Sequence, residues 1–172
     1  TMSHWYSPAP QEFMQSDKLK PTLLGQADNQ YMSAETQVWD IRVQSNMDKY
    51  MKLTDGYVNE FNPNANIFHT IGMAERNMCP DRESNLRLKL FAYRKIAQNL
   101  RQHYPNSKLM IASWDFVGWW RSDEVKKLIS ELDPTRTVIL DYTSEIDDPE
   151  QSFINWGVVG KFPWIFGLFH AY

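Results

Sequence analysis

The chain has 172 residues, of which 42% are hydrophobic and 23% are charged, and these proportions exclude collagen-like, low-complexity and disulfide-scaffold proteins. The formal net charge of −3 provides no basic field, so neither nucleic acid nor an anionic membrane surface is an expected partner. Seven Trp, eight Tyr and nine Phe suit a large core, and equally a cleft that stacks flat ligands.

Residues 1–36 are predicted to be irregular. They contain three prolines, which break helices, together with several turn-forming residues. An irregular stretch of this length in a compact domain is expected to wrap a surface or to shape a site. We therefore predict a single domain over residues 1–172, in which residues 37–172 alternate between helices and strands.

The alternation follows from the spacing of apolar residues. Spacings of three and four predict helices over about residues 38–61, 84–104, 122–132 and 150–156. Apolar and β-branched runs predict strands over about residues 67–73, 109–114, 137–142 and 162–169. Apolar strands that alternate with helices are typical of a parallel sheet, so the predicted fold class is α/β, either doubly wound or a barrel. No Gly-rich phosphate turn follows a strand, which disfavours a dinucleotide-binding fold.

Acidic, polar and aromatic side chains collect just past the predicted strands. The carboxyl ends of parallel strands form the functional face of α/β folds. In chain order, the four strands are followed by Glu75 and Asn77, by Trp114, Asp115 and Trp119, by Asp141 and Glu145, and by His170. If the ligand of this face is a sugar, aromatic rings, including that of Trp164, are expected to stack on its faces, and the Asp, Asn and His side chains are expected to hydrogen-bond its hydroxyls.

Glu75 and Glu145 form the predicted catalytic pair. Two carboxylates that face each other across a cleft are the working parts of a glycosidase, because one protonates the leaving oxygen while the other attacks the anomeric carbon or orients water. Asp115 and Asp141 are alternative acids, and each also fits a role in holding a loop or in pairing with an arginine. A tryptophan cluster is also more often part of a core than a binding platform.

Other features are predicted to carry no chemistry. The four histidines show no metal-ligand spacing, so no metal site is predicted. Cys79 has no visible histidine partner and is predicted to be a plain thiol. The basic residues of the helix over 84–104, among them Lys89, are predicted to form a solvated face. The longest charge-free apolar run, over 162–172, is too short to span a bilayer.

Three segments and one glutamate carry a recognisable pattern: VILDYTSE at 138–145, SWDF at 113–116, FPWIFGLFH at 162–170, and Glu75. Together they resemble the α-N-acetylglucosaminidase family of glycoside hydrolases. Residues 138–145, VILDYTSE, resemble the segment that carries the family's nucleophile at the end of a barrel strand. Residues 113–116, SWDF, resemble its Trp-x-Phe strand, and residues 162–170, FPWIFGLFH, resemble its aromatic strand that ends in Leu-His. Glu75 stands where the family has its acid/base, although Ala74 replaces the asparagine that precedes it there.

The resemblance implies a parallel (β/α) barrel of TIM type that cleaves a terminal N-acetylhexosamine with retention and without a cofactor. Glu145 would be the nucleophile and Glu75 the general acid and later base, with carboxyl groups about 5–5.5 Å apart, as retention requires. Four predicted strands make half of such a barrel, so we expect this chain to be the later part of one, completed by another chain or a dimer partner. The resemblance also implies a secreted, periplasmic or lysosomal location.

Two other functions fit the same residues. A non-catalytic carbohydrate-binding or scaffold module would keep the tryptophans without needing both glutamates. A barrel hydrolase of different specificity would act on other glycans, for example β-linked ones. Glu→Gln variants separate the first alternative from the predicted enzyme, and a screen of aryl α- and β-glycosides separates the second.

Overall fold

The computed structural model describes residues 2, 23–26, 37–70, 79, 81–116, 120–141, 148–149 and 152–167. In chain order its elements are β1 (Leu23–Gln26), β2 (Gln37–Trp39), α1 (Gln44–Phe61), β3 (Ile67–Thr70), α2 (Arg82–His103), β4 (Lys108–Ala112), a 3₁₀ turn (Ser113–Asp115), α3 (Ser122–Glu131), β5 (Thr137–Asp141), α4 (Phe153–Trp156) and β6 (Trp164–Phe166).

Four of these strands form one parallel sheet. Its order, β3-β4-β5-β6, follows the chain, and a helix lies between each strand and the next. Each apolar run that was predicted as a strand contributes one of them, which confirms the predicted α/β class with a parallel sheet. Within the described residues β3 and β6 are the two edges of this sheet and do not pair with each other, so the sheet is open.

The two faces of the sheet differ in what covers them. The strand register places Phe68, Leu109, Ile111 and Ile139 on one face, where all four are buried among residues of the helices. The opposite face carries Ile67, Met110, Leu140 and Ile165, which are exposed or only half-buried, together with Ala112 and Val138, which are buried. Within the described residues, the helices that link the strands gather on a single face, and the other face is covered only in part.

Helix α2 is the longest element and follows its prediction closely. The Asp81 carboxylate caps it by accepting a hydrogen bond from the Ser84 backbone N–H at 2.8 Å. Apolar residues at three- and four-residue spacing, from Leu86 to Leu100, face the sheet. The helix ends before Pro105, which cannot continue it.

The region before β3 differs from its prediction. Residues 23–26, predicted to be irregular, form β1, which pairs antiparallel with β2. Helix α1 therefore begins at Gln44 and not near residue 38. The Asp40 carboxylate accepts hydrogen bonds from both the backbone and the guanidinium of Arg42, at 2.8–3.0 Å, which turns the chain before the helix starts. The three-residue strand β2 is too short to show the alternation that identifies a strand.

The later elements are shorter than predicted. Strand β4 ends at Ala112 because the chain tightens into the 3₁₀ turn, so Trp114 lies beyond the strand. Helix α4 spans only Phe153–Trp156 and is closed by Gly157, whose φ of 77° favours glycine. Strand β6 spans three residues, and its side chains are 45–59% exposed, as expected at an edge of the open sheet.

Candidate functional site

The carboxyl ends of the four parallel strands meet along one edge of the sheet. Thr70 of β3 pairs with Ile111, Ala112 of β4 pairs with Leu140, and Asp141 of β5 pairs with Phe166. The strands thus end almost level with one another, and the residues that follow them begin from neighbouring positions. This carboxyl edge is the candidate site, because ligands of parallel α/β folds bind there.

Three of the predicted site residues lie at this edge within the described part of the chain. Trp114 and Asp115 occupy the 3₁₀ turn directly after β4, and Asp141 is the last residue of β5. The Trp114 side chain is partly open to solvent, with 37% of its surface exposed. Asp141 is buried on the helix-covered face, and its carbonyl oxygen accepts a hydrogen bond from the Gly167 N–H at 3.0 Å.

Trp164 lies elsewhere. It opens β6 and pairs with Ile139, two residues before the end of β5. Its ring packs edge-on against Phe153 of α4, with centroids 5.6 Å apart and planes at 73°. The structure therefore does not bring Trp164 to the carboxyl edge with Trp114 and Asp141.

The other five predicted site residues, Glu75, Asn77, Trp119, Glu145 and His170, lie outside the residues that the structure describes. Their roles stay predictions, as does the separation of the two glutamate carboxyl groups. The described strands show where the segments that carry the two glutamates begin. Glu75 follows the end of β3 by five residues, and Glu145 follows the end of β5 by four.

Asp115 is the most enclosed charged residue at this edge. It has no exposed surface, and two side chains of α2 bind it from the helix side. The Tyr93 hydroxyl donates a hydrogen bond to its carboxylate, and the Lys89 ammonium donates one to its backbone carbonyl oxygen. These contacts match the role in holding a loop that the sequence left open for this residue.

Lys89 is the residue that the sequence prediction placed wrongly. It was assigned to a solvated face, yet only 1% of its surface is exposed. Its ammonium lies 4.8 Å from the centre of the Trp120 ring, which is itself buried. Burial lowers the pKa of Lys89 to about 8, against the partial compensation of the nearby Asp115 charge. The signal was present in the spacing, because Lys89 is three residues after Leu86 and four before Tyr93 on the buried stripe.

An ion pair flanks this cluster. The Arg82 guanidinium binds both carboxylate oxygens of Glu124, at 2.6 and 2.5 Å, and its carbon lies 5.8 Å from the centre of the Trp120 ring. The Glu124 carboxylate also accepts a hydrogen bond from the Arg121 backbone N–H at 2.8 Å. Burial opposes ionisation of Glu124, but these hydrogen bonds outweigh it and lower its pKa. The pair joins the start of α2 to the start of α3.

Three further features of the described residues bear on function. They contain no group of three His, Cys, Asp or Glu side chains that would hold a metal ion, and the expectation of a metal-free site remains a prediction. No helix among them has the length and apolarity to cross a membrane. A groove of about 390 Å³ lies between the end of α1 and the start of β3, lined by Tyr57, Phe61 and Ile67 among others. It contains none of the predicted site residues.

The open parallel sheet, with a helix between each strand and the next, is consistent with part of a TIM-type barrel. The family model for the alpha-N-acetylglucosaminidase (NAGLU) TIM-barrel domain matches residues 10–172, so the chain belongs to that family. This membership confirms the resemblance and supports a glycoside hydrolase type of function. Searches of curated proteins and of solved structures found no significant match.

Proposed function

We propose that this protein is a retaining glycoside hydrolase that removes a terminal α-linked N-acetylglucosamine or a closely related N-acetylhexosamine. The observation that carries the proposal is the family match over residues 10–172 of a chain whose parallel strands β3 and β5 are followed by Glu75 and Glu145. Retaining hydrolysis needs one carboxylate on each side of the scissile bond, and in this proposal Glu75 and Glu145 are those two carboxylates.

The sheet topology is compatible with the separation that retention requires. Only β4 lies between β3 and β5, and neighbouring strands are about 4.8 Å apart, so the two strand ends are about 10 Å apart. Glu75 and Glu145 follow these ends by only five and four residues, and we propose that these short segments bring the two carboxyl groups to the 5–5.5 Å of a retaining pair.

In the proposed mechanism, Glu145 and Glu75 act in sequence on the anomeric carbon. The Glu145 carboxylate attacks this carbon while the bond to the leaving oxygen breaks, and Glu75 donates its proton to that oxygen. A glycosyl ester on Glu145 results. Glu75, now ionised, takes a proton from water, which attacks the same carbon and releases the sugar with its original configuration.

The proposed substrate contacts come from the residues around this pair. The partly exposed ring of Trp114, together with that of Trp119, stacks on the apolar face of the sugar. Asn77 and His170 hydrogen-bond hydroxyl or acetamido groups, whereas Asp141, which is buried on the helix-covered face, is no longer proposed as a direct sugar contact. Asp115, which is fully enclosed, contributes by holding the turn that carries Trp114.

We also propose that further strands complete the barrel, supplied by a second copy or by another chain. The support is the exposure of β6, whose Trp164, Ile165 and Phe166 are 45–59% accessible on an unpaired edge of the described sheet. An apolar edge of this kind pairs readily with another strand. Size-exclusion chromatography coupled to light scattering tests this proposal. A monomer whose β6 backbone amides exchange freely with solvent would contradict it.

The decisive test of the reaction is the configuration of its first product. The protein, purified as its cells produce it, is mixed with an aryl N-acetyl-α-glucosaminide, and the anomeric proton is followed by NMR from the first turnover. Release of the α-anomer supports retention. Release of the β-anomer would exclude Glu145 as a nucleophile, and binding of the sugar without any release would favour the non-catalytic module.

Substitution assigns the two roles. Glu145→Gln is expected to abolish turnover, because no nucleophile remains. Glu75→Gln is expected to slow substrates with poor leaving groups by roughly 10²–10⁴-fold and activated aryl glycosides much less, because a good leaving group needs no proton. Glu60→Gln, an exposed glutamate of α1, is the matched control and should keep full activity. Full activity of Glu145→Gln would contradict the assignment.

A further inference from the structure

We propose that Lys89 and Tyr93 are positioning residues, which hold the turn after β4 so that its Trp114 meets the sugar. This inference rests on the proposed function, because it assigns sugar binding to that turn. The residues Lys89, Tyr93, Asp115 and Trp120 are called the α2 clamp below. Three of its members, Lys89, Tyr93 and Asp115, have 0–1% of their surface exposed.

The clamp holds Asp115 by both its side chain and its backbone. Tyr93 binds the carboxylate, whereas Lys89 binds the carbonyl oxygen of the same residue. The two donors stand four residues apart on α2 and so lie on one side of the helix, one turn from each other. A residue held at two separate groups cannot rotate about its own backbone without breaking one of them, so the direction of the turn is set by α2.

The clamp also reaches the far end of the same loop. The Lys89 ammonium lies 4.8 Å from the centre of the Trp120 ring. The Arg82 guanidinium also lies against this ring, and it pairs with Glu124 at the start of α3. One lysine therefore contacts the residue where the loop leaves the 3₁₀ turn and the residue where the loop enters α3. Trp114 precedes the first contact directly, and Trp119 precedes the second.

Apolar packing alone does not account for this arrangement. Burial of an ammonium and a carboxylate costs several kcal/mol unless each is bonded, and an apolar pair of the same volume would pack the same space. Two donors from a rigid helix do what an apolar pair cannot, since they fix a loop in one orientation. Substrate-positioning groups act in this way, and a shift of about 1 Å in such a group costs binding or rate.

Helix α2 offers a matched control just past its carboxyl end. There the Tyr104 hydroxyl donates to the Asp55 carboxylate at 2.6 Å, which is the same pair of groups as Tyr93 and Asp115. Tyr104 follows α2 at the amino end of the sheet, far from the carboxyl edge. Tyr93→Phe and Tyr104→Phe each remove one tyrosine hydroxyl from one carboxylate, but only the first belongs to the clamp.

The experiment compares these two variants for both substrate binding and loop protection. We expect Tyr93→Phe to raise KM for an aryl N-acetyl-α-glucosaminide about tenfold while kcat changes less than twofold, because the hydrogen bond is lost but the catalytic pair is not. Hydrogen exchange in peptides covering 113–120 should rise in the same variant. Tyr104→Phe should change neither. Asp115→Asn, which keeps an acceptor for Tyr93, should retain most of the affinity that Asp115→Ala loses.

Each outcome decides between the positioning role and its rivals. A fall in kcat at unchanged KM, in proportion to a loss of folded protein, would show a merely structural role and overturn the proposal. Unchanged exchange over 113–120 would overturn it as well, whatever the kinetics. Should the unmodified protein bind N-acetylglucosamine without hydrolysing it, the proposed reaction fails, and the clamp is judged on the dissociation constant in place of KM. Absence of both binding and hydrolysis would refute the proposed function itself.

Discussion

Helix α2 takes part in the same chemical pair twice, in opposite surroundings. At its middle, Tyr93 binds an Asp115 carboxylate that has no exposed surface. Just past its end, Tyr104 binds an Asp55 carboxylate whose side chain is 34% exposed and that also lies 3.2 Å from the His103 ring. Water screens the second pair and not the first. We therefore expect that burial, more than residue type, decides how much each of these two polar contacts contributes to stability.

The largest expected effect comes from removing the carboxylate of each tyrosine–aspartate pair. Asp115→Ala leaves a buried lysine without its counter-charge and a buried hydroxyl without its acceptor, so we expect a loss of about 3–5 kcal/mol in the free energy of unfolding. Asp55→Ala should cost about 1 kcal/mol or less, because water replaces the lost partner. Urea unfolding of both variants checks the comparison. Equal losses of stability in Asp115→Ala and Asp55→Ala would mean that burial does not distinguish the two pairs.

The next effect depends on pH and isolates Lys89. Its proton leaves near pH 8 in the folded state and near its ordinary pKa of 10.5 in the unfolded chain. Between these values the unfolded chain binds more protons, so the free energy of unfolding rises with pH, by up to about 3 kcal/mol across the window. Lys89→Met removes this dependence. The difference in stability between the two proteins, measured in urea from pH 7.5 to 10.5, should therefore grow in favour of the unmodified one, and a constant difference would contradict the burial of this ammonium.

The smallest effect is expected from the ion pair near the end of α2. Arg101 lies 3.2 Å from Asp133, and both side chains are more than a third exposed. Arg101→Ala should change the free energy of unfolding by less than about 1 kcal/mol, and addition of 0.5 M salt should remove most of that change. Thermal unfolding at two salt concentrations measures it. A loss of unfolding free energy as large as that of Asp115→Ala would contradict the contrast between buried and exposed polar pairs.

Much of the fold was predictable because its signals are local. The runs around Leu109, Ile139 and Phe68 are apolar and β-branched, and the residues between them repeat at helical spacing, so a parallel α/β sheet follows from neighbours in the sequence. Strands β1 and β2 were missed for the opposite reason. Their pairing joins residues 23–26 to residues 37–39, and neither segment is long enough to show its own period.

The candidate site was predictable only in outline. The rule that functional residues follow strands placed Trp114 and Asp141 at the carboxyl edge correctly. The burial of Asp115 and Lys89 depends on how α2 packs over β4, which is a contact between residues 26 positions apart. A lysine on an apolar stripe is the local trace of such a contact. Trp164 was expected to stack on a sugar, but it lies opposite Ile139, two residues before the carboxyl edge, and its ring packs against Phe153.

The strand order of the sheet has a consequence for how the chain acquires its structure. Each strand pairs with the next one in the chain, so every helix–strand unit finds its partner already formed when it leaves the ribosome. Parallel pairing still requires a whole helical crossover before each new strand can dock, so growth from β3 towards β6 is expected to be slow compared with hairpin formation. At each step the newest strand presents an unpaired edge. The exposed aromatic and branched residues of β6 therefore make this edge the place where mispairing of the nascent chain is expected to begin.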